Sequence, residues 1–340
     1  MQNSIYMGLL IAVGFKVSYE SGLSGRNETQ RIAENTGFEV SSAAEAPFTV
    51  VLVVATGKYF SERPFCTGII IDPKFVLTAA HCAEALDKIH AQRSYGEIHA
   101  GVSKLLEVHQ RGSEFQVRTI STRNIKIHPR FFPSWWEYLH PSPSKYDVAL
   151  IEVDEPFKFN DKVNQTQLWD EEWPRAVLEG KHEYGIMDCM AYGWGLLSYS
   201  PQVKPSQGLR KVQVLAKHGI GACPGFLNFQ QRRVVCSQSP SICPGDSGGP
   251  LVCRNKTVGV AHILYPFIFD CTSDFIMTAW MYVCPMLDFI HEHVPSVPAP
   301  PISCESPHLT LLPVALISLV HLFISKLNTE NYHSSHCIQA

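Results

Sequence analysis

Short runs of Val, Ile and Leu recur along the middle of this chain. FTVVLVVAT (48–56), TGIIIDPKFVLTAA (67–80), YDVALIEV (146–153), RKVQVLA (210–216) and TVGVAHIL (257–264) are bounded by Pro, Gly or Asp. β-branched residues in runs of this length, punctuated in this way, predict strands. A helical pattern comes late: Pro285 opens PMLDFIHEHV, with Leu287, Phe289 and Ile290 available to pack. No internal repeat is present. The pattern predicts an all-β protein closed by a C-terminal helix.

Both ends differ from this middle. The apolar run from Ile5 to Phe15 predicts a signal peptide over residues 1–22, although no Lys or Arg precedes it. Residues 23–46 read as a propeptide-like segment. Residues 295–308 form a Pro-rich stalk with no packable face. LTLLPVALISLVHLFIS (309–325) has the length of a short membrane-spanning helix, interrupted by Pro313 and His321. The polar tail 326–340 behind it favours a single span over a glycolipid anchor. These segments predict passage through the secretory pathway and an extracellular domain held at the cell membrane.

Composition supports that compartment. Eleven cysteines without a CxxC pair, in 340 residues, point to disulfides under oxidising conditions and away from zinc; no metal or cofactor is expected. Asn27, Asn164 and Asn255 each open a glycosylation sequon. The net charge of -3 argues against nucleic acid or an anionic membrane surface as a partner.

The chemistry concentrates in SICPGDSGGPLVC, Ser241–Cys253. A serine hydroxyl is a weak nucleophile at neutral pH. It needs a neighbouring base, a carboxylate to fix that base's tautomer, and amide donors aimed at the developing oxyanion. Gly245 lets the chain turn so that the amides of Gly245 and Ser247 converge, and Gly248 and Gly249 leave room for backbone. FVLTAAHCA places His81 at the end of a strand. KYDVALIEV places Asp147 at the start of a buried strand, where an unpaired carboxylate is costly. The candidate triad is therefore His81, Asp147 and Ser247.

LTAAHC, DVALIEV, AYGWG and CPGDSGGPLVC, in this order, resemble the signature blocks of the trypsin/chymotrypsin family of serine peptidases over residues 47–294. The resemblance implies two six-stranded antiparallel β-barrels, with His81 and Asp147 from the first and Ser247 from the second. It implies the disulfides Cys66–Cys82, Cys189–Cys253, Cys223–Cys236 and Cys243–Cys271. Cys284 and Cys304 are left to bridge the closing helix to the stalk, and Cys337 remains a thiol. The His81-to-Asp147 interval is long, and HPRFFPSWWEYLHPSPSKY within it reads as a surface loop at the cleft rim. That loop either contacts a substrate or partner or packs on its own aromatics.

Several positions depart from the family pattern. Family members are cut to expose an apolar amino terminus, which pairs with the aspartate before the nucleophile, here Asp246. The matching position is Asn35, and of the expected residues only Gly37 fits; Arg31-Ile32 offers a tryptic cut a few residues earlier. Ser241 stands where trypsin-like members carry a charged pocket residue. Leu264 and Thr278 stand where small glycines usually line the pocket. Thr67 replaces a glycine after Cys66, and His262 replaces the serine that helps hold the catalytic aspartate. The resemblance thus implies a serine endopeptidase acting on protein or peptide substrates, with non-tryptic, narrow specificity. The alternative is an inactive homologue that serves as an extracellular binding module.

Overall fold

The computed structural model describes residues 37–55, 63–91, 95–105, 114–131, 146–174, 183–196, 208–238, 241–266, 271 and 273–304. The expected signal peptide, Asn27, the transmembrane segment, Cys337 and most of the aromatic loop lie outside them. No helix among the described residues is long and apolar enough to cross a membrane.

The N-terminal half is a curled sheet of seven antiparallel strands. Its members are β2 (Thr49–Ala55), β3 (Arg63–Asp72), β4 (Phe75–Thr78), β5 (Tyr95–Ala100), β6 (Gln116–Ile120), β7 (Ile125–Ile127) and β8 (Ala149–Glu152), in the order β6-β5-β2-β3-β4-β8-β7. The C-terminal half is a closed barrel. β10 (Glu183–Gly193), β11 (Arg210–Ile220), β12 (Val234–Gln238), β13 (Pro250–Cys253), β14 (Lys256–Tyr265) and β15 (Met277–Tyr282) run in the order β11-β10-β13-β14-β15-β12, and Lys217 opposite Cys236 closes the circle. Two short strands extend it: β1 (Phe38–Glu39) on β11, and β9 (Gln167–Leu168) on β14. The all-β expectation holds, with one refinement. Of the two six-stranded barrels expected, the second is a closed six-stranded barrel, and the first is a curled seven-stranded sheet with no closing ladder among the described residues.

The continuous apolar runs follow from burial on both faces of a strand. In β2, Val50 and Leu52 pack with Ile70, Val76, Ile98 and Ile151 inside the N-terminal half. The alternate residues Val51 and Val53 pack with Val102 and Leu105, and with Trp194 and Leu209 from the C-terminal half. Successive side chains leave a strand on opposite sides, so a strand between two cores is apolar at every position. Each such side chain contributes about 1.5–3 kcal/mol by burial. Arg254 and Asn255, at φ 50° and 63°, form the turn between β13 and β14. Positive φ at both central positions matches the right-handed twist of a tight hairpin.

Three α-helices are described: α1 (Ala80–Ala91), α2 (Asn228–Gln231) and α3 (Leu287–His293). α3 is the helix predicted from the sequence, and Leu287, Phe289 and Ile290 are buried. The four disulfides that the resemblance implies are present, and Cys284, whose pairing the sequence left open, is bonded to Cys304. Phe289 on α3 lies 4.9 Å from the ring of His128, and His128 stacks on Tyr146 at 4.6 Å. The closing helix therefore supports the residue that precedes Asp147.

His128 is 4 % exposed, and its Nδ1 accepts a 3.1 Å hydrogen bond from the backbone N–H of Arg130. An accepting Nδ1 carries no proton, so the fold holds the neutral ring. Burial lowers its pKa from 6.5 to about 4, with Asp288 opposing the shift and Arg130 adding to it. A depressed histidine favours the fold above pH 6.5, and that contribution is lost as pH falls toward 4. Between those limits the chain is expected to lose up to about 3 kcal/mol relative to its His128→Phe variant. Urea unfolding at stepped pH measures this difference; parallel curves for the two proteins contradict it.

Candidate active site

His81 sits in the first turn of α1, three residues beyond the end of β4 at Thr78, and not at the end of a strand as the sequence suggested. Its neighbour Cys82 is fully buried and bonded to Cys66 on β3, which anchors the start of the helix to the sheet. The backbone N–H of His81 donates to Asp147 Oδ1 at 2.8 Å, and its ring Nδ1 lies 2.6 Å from Asp147 Oδ2. Asp147 precedes β8 and is the central residue of a tight turn, closed by Val148 N–H on Tyr146 O at 2.7 Å. Tyr146 adopts φ 55°, a conformation that costs an aromatic residue about 1–3 kcal/mol. Its ring is held by His128, by the Arg233 guanidinium 4.7 Å from its centroid, and by Arg130, which donates to its hydroxyl at 3.2 Å. No sequence signal marks this strain, since glycine or asparagine is the readable left-handed residue.

A second imidazole reaches the same carboxylate. His262 Nδ1 lies 2.6 Å from Asp147 Oδ2. The Asp147 side chain is 1 % exposed, that of His262 7 % and that of His81 41 %. Burial acts to raise the Asp147 pKa, but the charges and hydrogen bonds of the two imidazoles outweigh it and hold the carboxyl well below the usual range. These three donor atoms lie within 4.8 Å of one another, as do those of Cys66, His81 and Cys82. The two sulfurs are joined in a disulfide, and the His-Asp-His group is already internally hydrogen-bonded.

Ser247 lies in a loop bonded at several points. Its carbonyl accepts from Thr67 N–H at 2.8 Å and lies 3.7 Å from the sulfur of Cys82, next to His81. Among the described residues the Ser247 hydroxyl makes no hydrogen bond, to the His81 ring or elsewhere. The Pro244 carbonyl accepts from Leu196 N–H at 2.8 Å. In a trans peptide this turns the Gly245 N–H to the opposite side. Gly245 takes φ +99° and Gly248 φ +82°. A Cβ on Gly248 would lie 2.1 Å from Thr78 Oγ1, so this turn packs directly on the N-terminal sheet. Asp246 accepts 2.7 Å bonds from the N–H groups of Gly195 and Cys243. Burial nevertheless raises its pKa to about 6 against those donors and Arg210. A cavity of about 40 Å³ adjoins it, lined in part by Tyr192, Gly193 and Arg210. Asn35, the expected partner position, is outside the described residues.

Thr67 takes a part that the sequence flagged only as a departure. Its hydroxyl donates to the Gly245 carbonyl at 2.9 Å and accepts from Trp194 N–H at 3.2 Å. One buried side chain thus spans β3, the Gly245 loop and the end of β10. The three expected pocket residues are also brought together. Leu264 and Thr278 are direct cross-strand partners, and Thr278 Oγ1 accepts from Ile242 N–H at 3.3 Å. Ser241 donates to Cys271 O at 2.5 Å. All three side chains lie in the buried interior. Of the sequons, Asn164 and Asn255 are exposed.

At the junction of the two β halves a histidine thus lies on a buried aspartate, and a serine stands in a glycine-rich turn bonded to the N-terminal sheet. The Trypsin family model matches residues 35–290, and the chain belongs to that family. It is 28 % identical over 213 residues to "Transmembrane protease serine 9" of Rattus norvegicus, covering 59 % of this chain and 17 % of that one. It is 25 % identical over 221 residues to "Coagulation factor XI" of Bos taurus, covering 63 % and 30 %. It therefore spans less than a third of these two relatives. It is 31 % identical over 208 residues to "Hypodermin-A" of Hypoderma lineatum, covering 58 % of this chain and 67 % of that one. Mouse neuropsin, a solved serine protease expressed in the limbic system of the brain, shares the fold. The TM-score is 0.57 at 22 % identity, over 76 % of this chain and 98 % of neuropsin.

Replacing Thr67 by Val keeps the shape but leaves the Gly245 carbonyl and Trp194 N–H without their buried partner. This is expected to cost about 1–3 kcal/mol. Thr67→Ser keeps the hydroxyl and should cost less. Urea unfolding of the three proteins compares them, and Val and Ser variants of equal stability contradict the bridge.

Proposed function

We propose that this protein is a serine endopeptidase whose catalytic groups are His81, Asp147 and Ser247. The observation that carries the reading is the 2.6 Å contact between His81 Nδ1 and a buried carboxylate, with the Ser247 backbone bonded to the residue after Cys66. With Nδ1–H held by Asp147, the His81 ring presents Nε2 as the base. Nε2 takes the Ser247 proton as Oγ attacks the peptide carbonyl, then delivers it to the leaving amine. Water repeats the cycle on the acyl-enzyme. Asp147 stabilises the imidazolium formed at each stage. The N–H groups of Gly245 and Ser247 serve the oxyanion; loss of one such donor costs about 10²–10³ in rate. Catalytic hydrogen bonds often tighten only when substrate binds, which accommodates the unbonded Ser247 hydroxyl.

Specificity follows from the buried Leu264–Thr278 pair and the uncharged Ser241. Together they favour a small apolar side chain at the cleaved bond and disfavour Arg or Lys. Five disulfides fit folding in the secretory pathway, and residues 309–325 supply a membrane anchor in this reading. A second reading, a binding module without turnover, is favoured by the filled pocket and by the unbonded hydroxyl.

A fluorophosphonate probe separates the two readings. The proposal expects covalent labelling of the purified extracellular part and none of its Ser247→Ala variant. No labelling of either supports the binding module. Profiling on a peptide library tests specificity: Leu264→Gly with Thr278→Gly should widen the accepted side chain. Efficient cleavage after Arg or Lys by the unaltered protein refutes the narrow pocket.

A further inference from the structure

Two of the sequons meet in space. β9 runs parallel to β14, with Gln167 beside Lys256 and Leu168 beside Thr257. Thr166 and Thr257 are the third residues of the Asn164 and Asn255 sequons, and their hydroxyls lie 3.1 Å apart, bonded to one another. Both threonines are buried. That bond gives the threonines a packing role of their own. It gives none to Asn164, which is exposed.

The surroundings of Asn164 do. It lines an open depression of about 680 Å³ together with Ala44, Phe159, Asn160 and Asp161, and Phe159 is 39 % exposed there. The loop that carries Phe159 is held on both sides. Before it, Gln116 Nε2 donates to Lys158 O at 2.6 Å, and Gln116 Oε1 accepts from Lys158 N–H at 2.9 Å. After it, Asn160 N–H donates to Val163 O at 2.8 Å, and Asn160 Oδ1 accepts from the N–H groups of Lys162 and Val163. Residues 160–163 therefore form a closed turn. Asn164 N–H then donates to Pro47 O at 2.9 Å. Asn164 Oδ1 accepts from Gln165 N–H at 2.8 Å, and among the described residues its Nδ2 makes no hydrogen bond. The nitrogen that takes a sugar is thus open, beside a ring set by the same short loop.

An aromatic face is negative, and the C–H groups on one face of a hexose are polarised positive, so the two stack. Asn160 and Asp161 at the rim offer polar partners to hydroxyl groups. We propose that Asn164 is N-glycosylated and that the depression beside it seats the attached sugar, whose first N-acetylglucosamine packs on Phe159. In the transfer, Asn164 Nδ2 loses a proton and bonds to C1 of the sugar. The bond from C1 to the diphosphate of a lipid-linked oligosaccharide donor breaks, and the lipid diphosphate leaves. The sequon requires the Thr166 hydroxyl, which is buried once β9 pairs with β14, so transfer precedes that pairing. The inference rests on the secretory-pathway part of the proposed function and not on hydrolysis.

Expression of the full chain in secretory eukaryotic cells supplies the test. The sugar is removed enzymatically in heavy-oxygen water, and the peptide that holds position 164 is weighed by mass spectrometry. Asn164 should have become labelled aspartate. Sugar on Asn27 or Asn255 with Asn164 bare overturns the proposal and leaves the secretory reading standing; all three bare overturns both. Thermal unfolding then tests the seat. Phe159→Ala should lower the midpoint by about 2–4 °C more in the glycoprotein than in an Asn164→Gln background. Asn164 is changed here because a change at Thr166 would also break its bond to Thr257. An equal effect of Phe159→Ala in both backgrounds overturns the contact between sugar and ring.

Discussion

A carboxylate that is 1 % exposed must be paired, and the pairing of Asp147 organises the centre of this molecule. Removing an ionised group from water costs several kcal/mol unless hydrogen bonds and opposite charge replace the lost solvation. Asp147 finds them in two elements that the sheets hold apart: α1, through His81, and β14, through His262. The first belongs to the N-terminal half and the second to the closed barrel. The seam between the halves is apolar along β2 and polar where Asp147, Thr67 and the Ser247 loop meet.

Around this junction the chain spends conformational strain and packing to hold direction. Tyr146 accepts a left-handed backbone because three side chains and the closing helix grip its ring or its neighbours. His262 accepts a break in the ladder. Thr67 inserts a hydroxyl between the Gly245 loop and Trp194. The Asp246 carboxyl is the exception. Two N–H groups hold it, yet burial keeps its pKa near 6, so the ionised form is under-compensated by the described residues. A raised carboxyl favours the fold most below its unfolded pKa, and that contribution is lost as pH rises through about 6.

Much of this was legible in the sequence, for stated reasons. The runs at 48–56, 67–80 and 257–264 are rich in Val, Ile and Leu because both faces of their strands are largely buried, and such runs announce themselves. Pro285 and the apolar residues after it marked α3. Four disulfides followed from the family resemblance, not from spacing, whereas His81, Asp147 and Ser247 were marked by what a serine nucleophile requires and then by the same resemblance. Other features had no local signal. The α1 helix begins at Ala80 straight after a strand, and its apolar residues merge with the strand's. The turn at Tyr146 uses an aromatic residue where glycine is the legible choice. Thr67 and His262 stood out as departures, but their partners, Gly245 and Asp147, are 178 and 115 positions away. Only the fold brings those pairs together.

The dependence of the site on one shared carboxylate is open to a direct thermodynamic test. A double-mutant cycle of Asp147→Asn and His262→Leu, read by urea unfolding near neutral pH, isolates the energy that the two residues exchange. The account predicts that the combined variant departs from the sum of the single ones by about 1–3 kcal/mol. Additivity within about 0.5 kcal/mol would mean that the imidazole and the carboxylate do not hold one another, and would contradict it.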